Sequence, residues 1–288
     1  MQNAQGVTGL IDFPLQGGES PVWDDGARAL WFVDMSAPEL LRLDTSSGAV
    51  TRWTMPAVIG SLGLCKDGRV LVALKSGVHF FDPATARLTL IAHPEAAAPE
   101  LRLNDGKVSP EGRFFFGGMD ESPERRPLAS LYRLDPDLTC HRVVSGLRVS
   151  NGLAWSPDGR TLYHSDSRAQ WLRAHVYDPA TGALGPARTL CDLSEAQGRP
   201  DGAAMDAEGF YWSAGVSAGR LNRIGPGGVI ERSLALPMLA PSMPCFGGPD
   251  MRTMFVTSLS AERDGVRQAG TLVSLRVDVP GVAVGKFG

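Results

Sequence analysis

No apolar run in the 288-residue chain approaches the roughly 20 residues that a membrane helix needs. The first ten residues, MQNAQGVTGL, hold neither a basic nor an apolar segment of the kind a secretory leader carries, so no signal peptide is expected. Cysteine is scarce. Cys65, Cys140, Cys191 and Cys245 stand far apart without a CxxC pair, which argues against a structural zinc or a redox dithiol. Free thiols in a reducing cytoplasm are the expectation, and the absence of an N-x-S/T sequon agrees with that compartment. Nor is charge concentrated: 28 Lys+Arg against 31 Asp+Glu leave −3 at pH 7 with no basic block. Neither nucleic acid nor a membrane is therefore expected as a partner. Long helical periodicity is missing too. The Ala-rich stretch at 94–100 (PEAAAPE) is too short and too proline-bounded for a stable helix.

Turn formers are abundant, with 34 Gly and 21 Pro, which fits many short strands. They are also periodic. Turn strings end at Gly26 (WDDG), Gly68 (CKDG), Gly112 (SPEG), Gly159 (SPDG) and Gly209 (DAEG), at intervals of 42, 44, 47 and 50 residues. GPDMRT, near Arg252, is a degenerate sixth. A period in the forties is that of a four-stranded propeller blade. Each unit reads as four short β-rich segments separated by turns, as in Gly152 to Trp155, Thr161 to His164 and Leu172 to Tyr177, with Asp178-Pro179 closing the third. The spacing predicts an all-β six-bladed β-propeller, four antiparallel strands per blade, in a single domain over 1–288. Because an open edge strand invites aggregation, the segment near residues 9–15 is expected to pair into the last blade.

Polar residues recur at one phase. Eight residues before the turn glycine stand Asn104, Asn151 and Asp201, and seven before Gly26 stands Glu19. The first strand of a blade lines the central channel, so these residues should meet at one of its mouths. Singly they mean little, since Asn-Gly and Asp-Gly are ordinary turn formers. Together, two carboxylates converging on a pocket would repel unless a cation joined them. An oxygen-rich set suits Ca²⁺, Mg²⁺ or Mn²⁺, and with added waters Zn²⁺ or Fe(II), so one divalent metal in the central channel is the expected cofactor. The second strand returns to the same mouth, carrying Asp34, Asp120, Glu121 and Asp166, and Arg102 is also within reach.

The strings GGESPVW (17–23), RLNDGKVSPEGRFFFGGMD (102–120), NGLAWSPDGRTLYHSD (151–166), RPDGAAMDAEGFYW (199–212) and PCFGGPDMRTMFVTS (244–258) resemble the SMP-30/gluconolactonase/luciferin-regenerating family, which includes regucalcin and bacterial sugar lactonases. The resemblance runs from about residue 15 to about residue 278. It implies a six-bladed propeller with one divalent metal and hydrolysis of aldonolactones. It places the metal ligands at Glu19, Asn151 and Asp201 and the substrate contacts at Arg102 and Asn104. A gapless match sets Ser122 where the family carries an acidic contact, with Asp120 and Glu121 just before it as the candidate replacements.

These readings converge on metal-dependent hydrolysis of a small-molecule sugar lactone to its aldonic acid. Asp201 would be the general base, and Arg102, Asn104 and an acid at 120–121 would hold ring hydroxyls. A monomer or small homo-oligomer is expected. Two alternatives use the same channel: another metal-dependent esterase or phosphotriesterase, and a non-catalytic propeller that binds calcium or a protein.

Overall fold

Each turn string joins an inner strand to its neighbour in an antiparallel pair. Gly18–Asp24 pairs with Ala29–Asp34, Ile59–Leu64 with Val70–Leu74, and Leu101–Val108 with Phe114–Asp120. Ser150–Trp155 pairs with Thr161–Asp166, Pro200–Met205 with Tyr211–Gly215, and Pro241–Gly247 with Thr253–Ser258. The structure, a computed structural model, describes residues 2–288. It is an all-β, six-bladed propeller with no helix among the described residues. The six inner strands touch one another in cyclic order, the sixth closing on the first.

The ring closes through the amino terminus. Thr8–Gly9 pairs antiparallel with Leu272–Arg276 as the outermost strand of blade six, and Leu15 bridges Gly270. This is the expected closure, with its strand at the near edge of the segment anticipated. Gln2–Asn3 adds a fifth, parallel strand to blade five beside Ile230–Ala235. A small hairpin, Ala261–Arg263 with Val266–Gln268, interrupts blade six.

The cores lie between blades, because a strand shows alternate side chains to its two faces. Phe114 and Phe116 face blade two beside Leu71 and Phe80, whereas Phe115 faces blade four beside Trp155 and Tyr177. All three phenylalanines are fully buried. Truncating Phe115 to alanine would cost about 3–5 kcal/mol. All four cysteines are free thiols; Cys65 and Cys245 are buried and the other two half-buried.

The carboxy-terminal segment, beyond the resemblance read in the sequence, crosses the far end of the channel. Val282 N–H donates to the Met205 carbonyl at 2.9 Å, Phe287 N–H to Leu64 at 2.8 Å, and Lys286 Nζ to Asp24 at 2.8 Å. Each acceptor closes an inner strand or lies at its end. Val282, Ala283 and Val284 thereby cap a small apolar space above Trp155 and Phe246. This tail covers the end of the channel opposite Glu19.

Candidate functional site

At the start of every inner strand the ladder carries a bulge. Pairing stops at Glu19 opposite Val33 and resumes at Val22; it stops at Asn151 opposite Ser165 and resumes at Ala154. In blades three and five it breaks after Leu103 and after Pro200, placing Asn104 and Asp201 inside the bulge. The four polar residues thus share a bulge but not one rung: Glu19 and Asn151 open it, Asn104 and Asp201 follow by one. A bulge bends the strand and re-aims its side chains. Here it turns them into the channel. Ser20 takes a left-handed φ of 49° to follow Glu19, and Gly152 a φ of 63° after Asn151. A Cβ at Gly152 would overlap the Tyr211 hydroxyl. At Gly60, in blade two, a Cβ would run into the backbone of Asn104, so that blade can offer no side chain at this level.

Glu19, Arg102, Asn104, Asn151 and Asp201 line one cavity of about 420 Å³. Asp201, Asn151 and Arg102 are buried, while Glu19 keeps partial access through the mouth. Asn151 Nδ2 donates to Ser167 Oγ at 2.7 Å, which leaves Oδ1 as the free acceptor. Asn104 accepts from Arg102 Nη1 at 2.9 Å and donates to the Ser150 carbonyl at 3.0 Å. Arg102 is further held by the Leu103 carbonyl at 2.9 Å and by Glu121 at 3.6 Å.

The other acids of the second strands are engaged elsewhere. Asp34 accepts from the N–H groups of Gln16, Gly17, Ser36 and Ala37. Asp166 repeats the pattern with Arg148, Val149, Arg168 and Ala169. Each clamps the incoming chain to the turn beside it. Asp120 lies outside the cavity lining, enclosed by Ser122 and Arg126, whose hydrogen bonds hold its carboxyl well below the usual range. Glu121 also lies off the wall, paired with Lys75 and behind Arg102.

Electrostatics single out the remaining pair. Burial, then the charges of Asp201 and Asp105, raise Glu19 well above an ordinary carboxyl. Burial and the Asp105 charge push Asp201 up to about 8, against the lowering pull of Arg199 and Arg102. Burial also brings Arg102 down to about 10. Two enclosed carboxylates, both raised by burial and neighbouring acids, together with the amide oxygen of Asn151, form a donor set of hard oxygens that a divalent cation would satisfy. Among the described residues no cluster of three or more His, Cys, Asp or Glu is placed to hold a metal; the set that fits is a mixed one, Glu19 and Asp201 with Asn151. Asp105, one step deeper and in the field of buried Lys107, adds its charge to this set. It was missed in the sequence because it sits one residue off the counted phase. Arg125, Arg168 and Arg199 also line the cavity and were not singled out in the sequence.

The family model of the SMP-30/gluconolactonase/LRE-like region matches residues 17–260. The chain belongs to this family. Among its relatives in the SMP-30/gluconolactonase/LRE-like family is the 6-deoxy-6-sulfogluconolactonase of Pseudomonas putida, 36% identical over 272 residues that cover 92% of this chain and 93% of the relative. Another is regucalcin of Xenopus laevis, 39% identical over 248 residues, 84% of this chain and 82% of the relative. The solved structure of a calcium-binding protein, regucalcin, from Agrobacterium tumefaciens superposes with a TM-score of 0.91 at 27% identity, covering 100% of this chain and 98% of that one.

Proposed function

We propose that the chain hydrolyses a sugar lactone to the corresponding aldonic acid, as a single propeller domain, with one divalent cation held by Glu19, Asn151 and Asp201. The observation that carries this reading is the meeting of two enclosed carboxylates, both raised by burial and neighbouring acids, and a free amide oxygen in one open cavity. When bound, a divalent cation supplies Lewis acidity toward the lactone carbonyl and charge for the developing oxyanion. The protein's own groups do the rest. Asp201 takes the proton of the attacking water as its oxygen bonds to the carbonyl carbon, and returns that proton to the ring oxygen as the acyl C–O bond breaks. The Arg102 guanidinium, fixed by Leu103 and Asn104, donates to substrate oxygens, and the second Asn104 N–H does the same. The closed far end of the channel leaves the substrate one way in.

A named sugar lactonase among the relatives supports the reaction class, and a calcium-binding neighbour supports the cation. The cavity beyond the carboxylates favours catalysis over simple ion storage, which would need no room for a sugar. The test is alkali-consumption kinetics on a panel of aldono-1,4- and 1,5-lactones, with a phosphotriester as comparison, before and after chelation and with each metal restored. Lactone turnover that stops with EDTA and returns with metal is the expected result. Turnover indifferent to chelation removes the metal's role, and turnover of the phosphotriester alone reassigns the reaction.

A further inference from the structure

Four arginines and two acids line the cavity: Arg102, Arg125, Arg168 and Arg199 against Glu19 and Asp201. The two acids are the ones assigned to the cation, so in the loaded protein the wall is strongly positive. Two of the arginines are already matched, Arg102 by Glu121 at 3.6 Å and Arg199 by Glu195 at 3.2 Å. Among the described residues, no carboxylate forms an ion pair with Arg125 or Arg168.

The backbones that carry these two are nonetheless fixed. Arg125 sits at a left-handed φ of 49°, its carbonyl accepts from Arg148 Nη1 at 2.8 Å, and its own Nη1 donates to the Asp120 carbonyl at 2.6 Å. The Arg168 N–H donates to Asp166 at 3.0 Å, so the clamp that closes blade four also positions this residue. Its side chain is exposed at the cavity rim. Two anchored cations without acidic partners, beside a small-molecule cavity, suit an anion. Guanidinium groups bind carboxylate, phosphate or sulfonate through charge-assisted, often bidentate hydrogen bonds. A neutral sugar would leave Arg168 facing water and Arg125 with only the Asp120 carbonyl.

We propose that the substrate is a sugar lactone carrying an anionic substituent remote from the ring carbonyl, and that Arg125 and Arg168 recognise that substituent. The proposal rests on the lactonase reading, and the experiment separates the two. The metal-loaded protein is assayed on D-glucono-1,5-lactone and on 1,5-lactones bearing a phosphate or a sulfonate at C6, with D-glucaro-1,4-lactone as the carboxylate arm. Binding of D-gluconate and 6-phospho-D-gluconate is measured in parallel by calorimetry. The expected kcat/KM is at least about tenfold higher for one of the charged lactones than for the neutral one. Arg168→Gln and Arg125→Gln should each erase about tenfold of that preference, chiefly through KM, with a much smaller effect on the neutral lactone, while metal content and melting temperature stay unchanged. Arg168→Lys should restore part of it.

Equal kcat/KM for charged and neutral lactones, or variants that weaken both alike, overturns the proposal and leaves the lactonase reading intact. If no lactone is turned over, the lactonase reading fails. The calorimetry then decides the anion site alone: 6-phospho-D-gluconate binding no tighter than D-gluconate, or tighter in a way that Arg168→Gln does not reduce, overturns it.

Discussion

The Asn151 side-chain amide donates to Ser167 Oγ across 2.7 Å, and this contact fixes the amide from the turn that follows Asp166. Ser167 follows the clamp residue Asp166, so the oxygen offered to a cation is oriented from outside the strand that carries Asn151. Groups that orient a ligand typically account for 10–100-fold in metal affinity. Ser167→Ala should weaken divalent-cation binding by about that factor while leaving the fold intact. Calorimetric titration of the metal-stripped protein checks it; an unchanged affinity would mean that Asn151 needs no such support.

Replacing one of the paired carboxylates should separate function from stability. Asp201→Asn and Glu19→Gln each remove a buried carboxyl whose ionised form burial and a nearby carboxylate oppose. Both variants should lose the bound cation, yet melt in EDTA a few degrees higher than the chelated wild type, on the order of 1 kcal/mol. Metal analysis and thermal unfolding in chelator read the two effects independently. A variant that keeps a full equivalent of metal dismisses that residue as a ligand.

The clamps are a structural matter. Asp34→Ala strands N–H groups from two chain segments at once, at Gln16 and Gly17 and at Ser36 and Ala37. We expect a loss of about 2–4 kcal/mol in denaturant unfolding. Asp137→Ala, in an exposed turn where the carboxylate serves only Thr139, should leave the midpoint almost unmoved. Equal effects at the two sites would refute the clamp.

Acid should find the protein through its buried histidines. Burial, with the nearby His175 and Arg173, lowers His164 to about 3, and burial with Arg173 lowers His175 to about 4. Both stay neutral in the folded chain while the unfolded chain titrates near the ordinary value of about 6.5. Their contribution is complete above that value and is lost progressively as the pH falls toward 4 and then 3. His164→Gln retains a partner for Ser150 Oγ, which His164 Nε2 meets at 2.9 Å. It should flatten the stability slope by up to about 1.4 kcal/mol per pH unit between roughly pH 6 and 4. Urea unfolding across that range checks it; parallel slopes would mean that His164 protonates as easily folded as unfolded.

Much of this molecule was legible in one dimension. The spacing of Gly26, Gly68, Gly112, Gly159 and Gly209 is set by the length of four strands and their turns, and a six-fold repetition of that length can bury its apolar faces only as a closed ring. The same arithmetic brought Glu19, Asn104, Asn151 and Asp201 to one mouth, because a repeated unit presents a repeated position to the axis.

Where side chains point within a rung was beyond such counting. The bulge, a break in the pairing between the first two strands of a blade, re-aims only the inner-strand side chains. That is why Asp34, Asp120 and Asp166 reach the same end of the molecule as Glu19 and yet spend their oxygens on backbone and loop donors. Arg125, Arg168 and Arg199, far apart in the chain, likewise became neighbours only once the blades were in place. The tail from Pro280 to Gly288 follows the same rule: its partners, Met205, Leu64 and Gly112, are far apart in sequence, and closure of the ring gathers them beneath it.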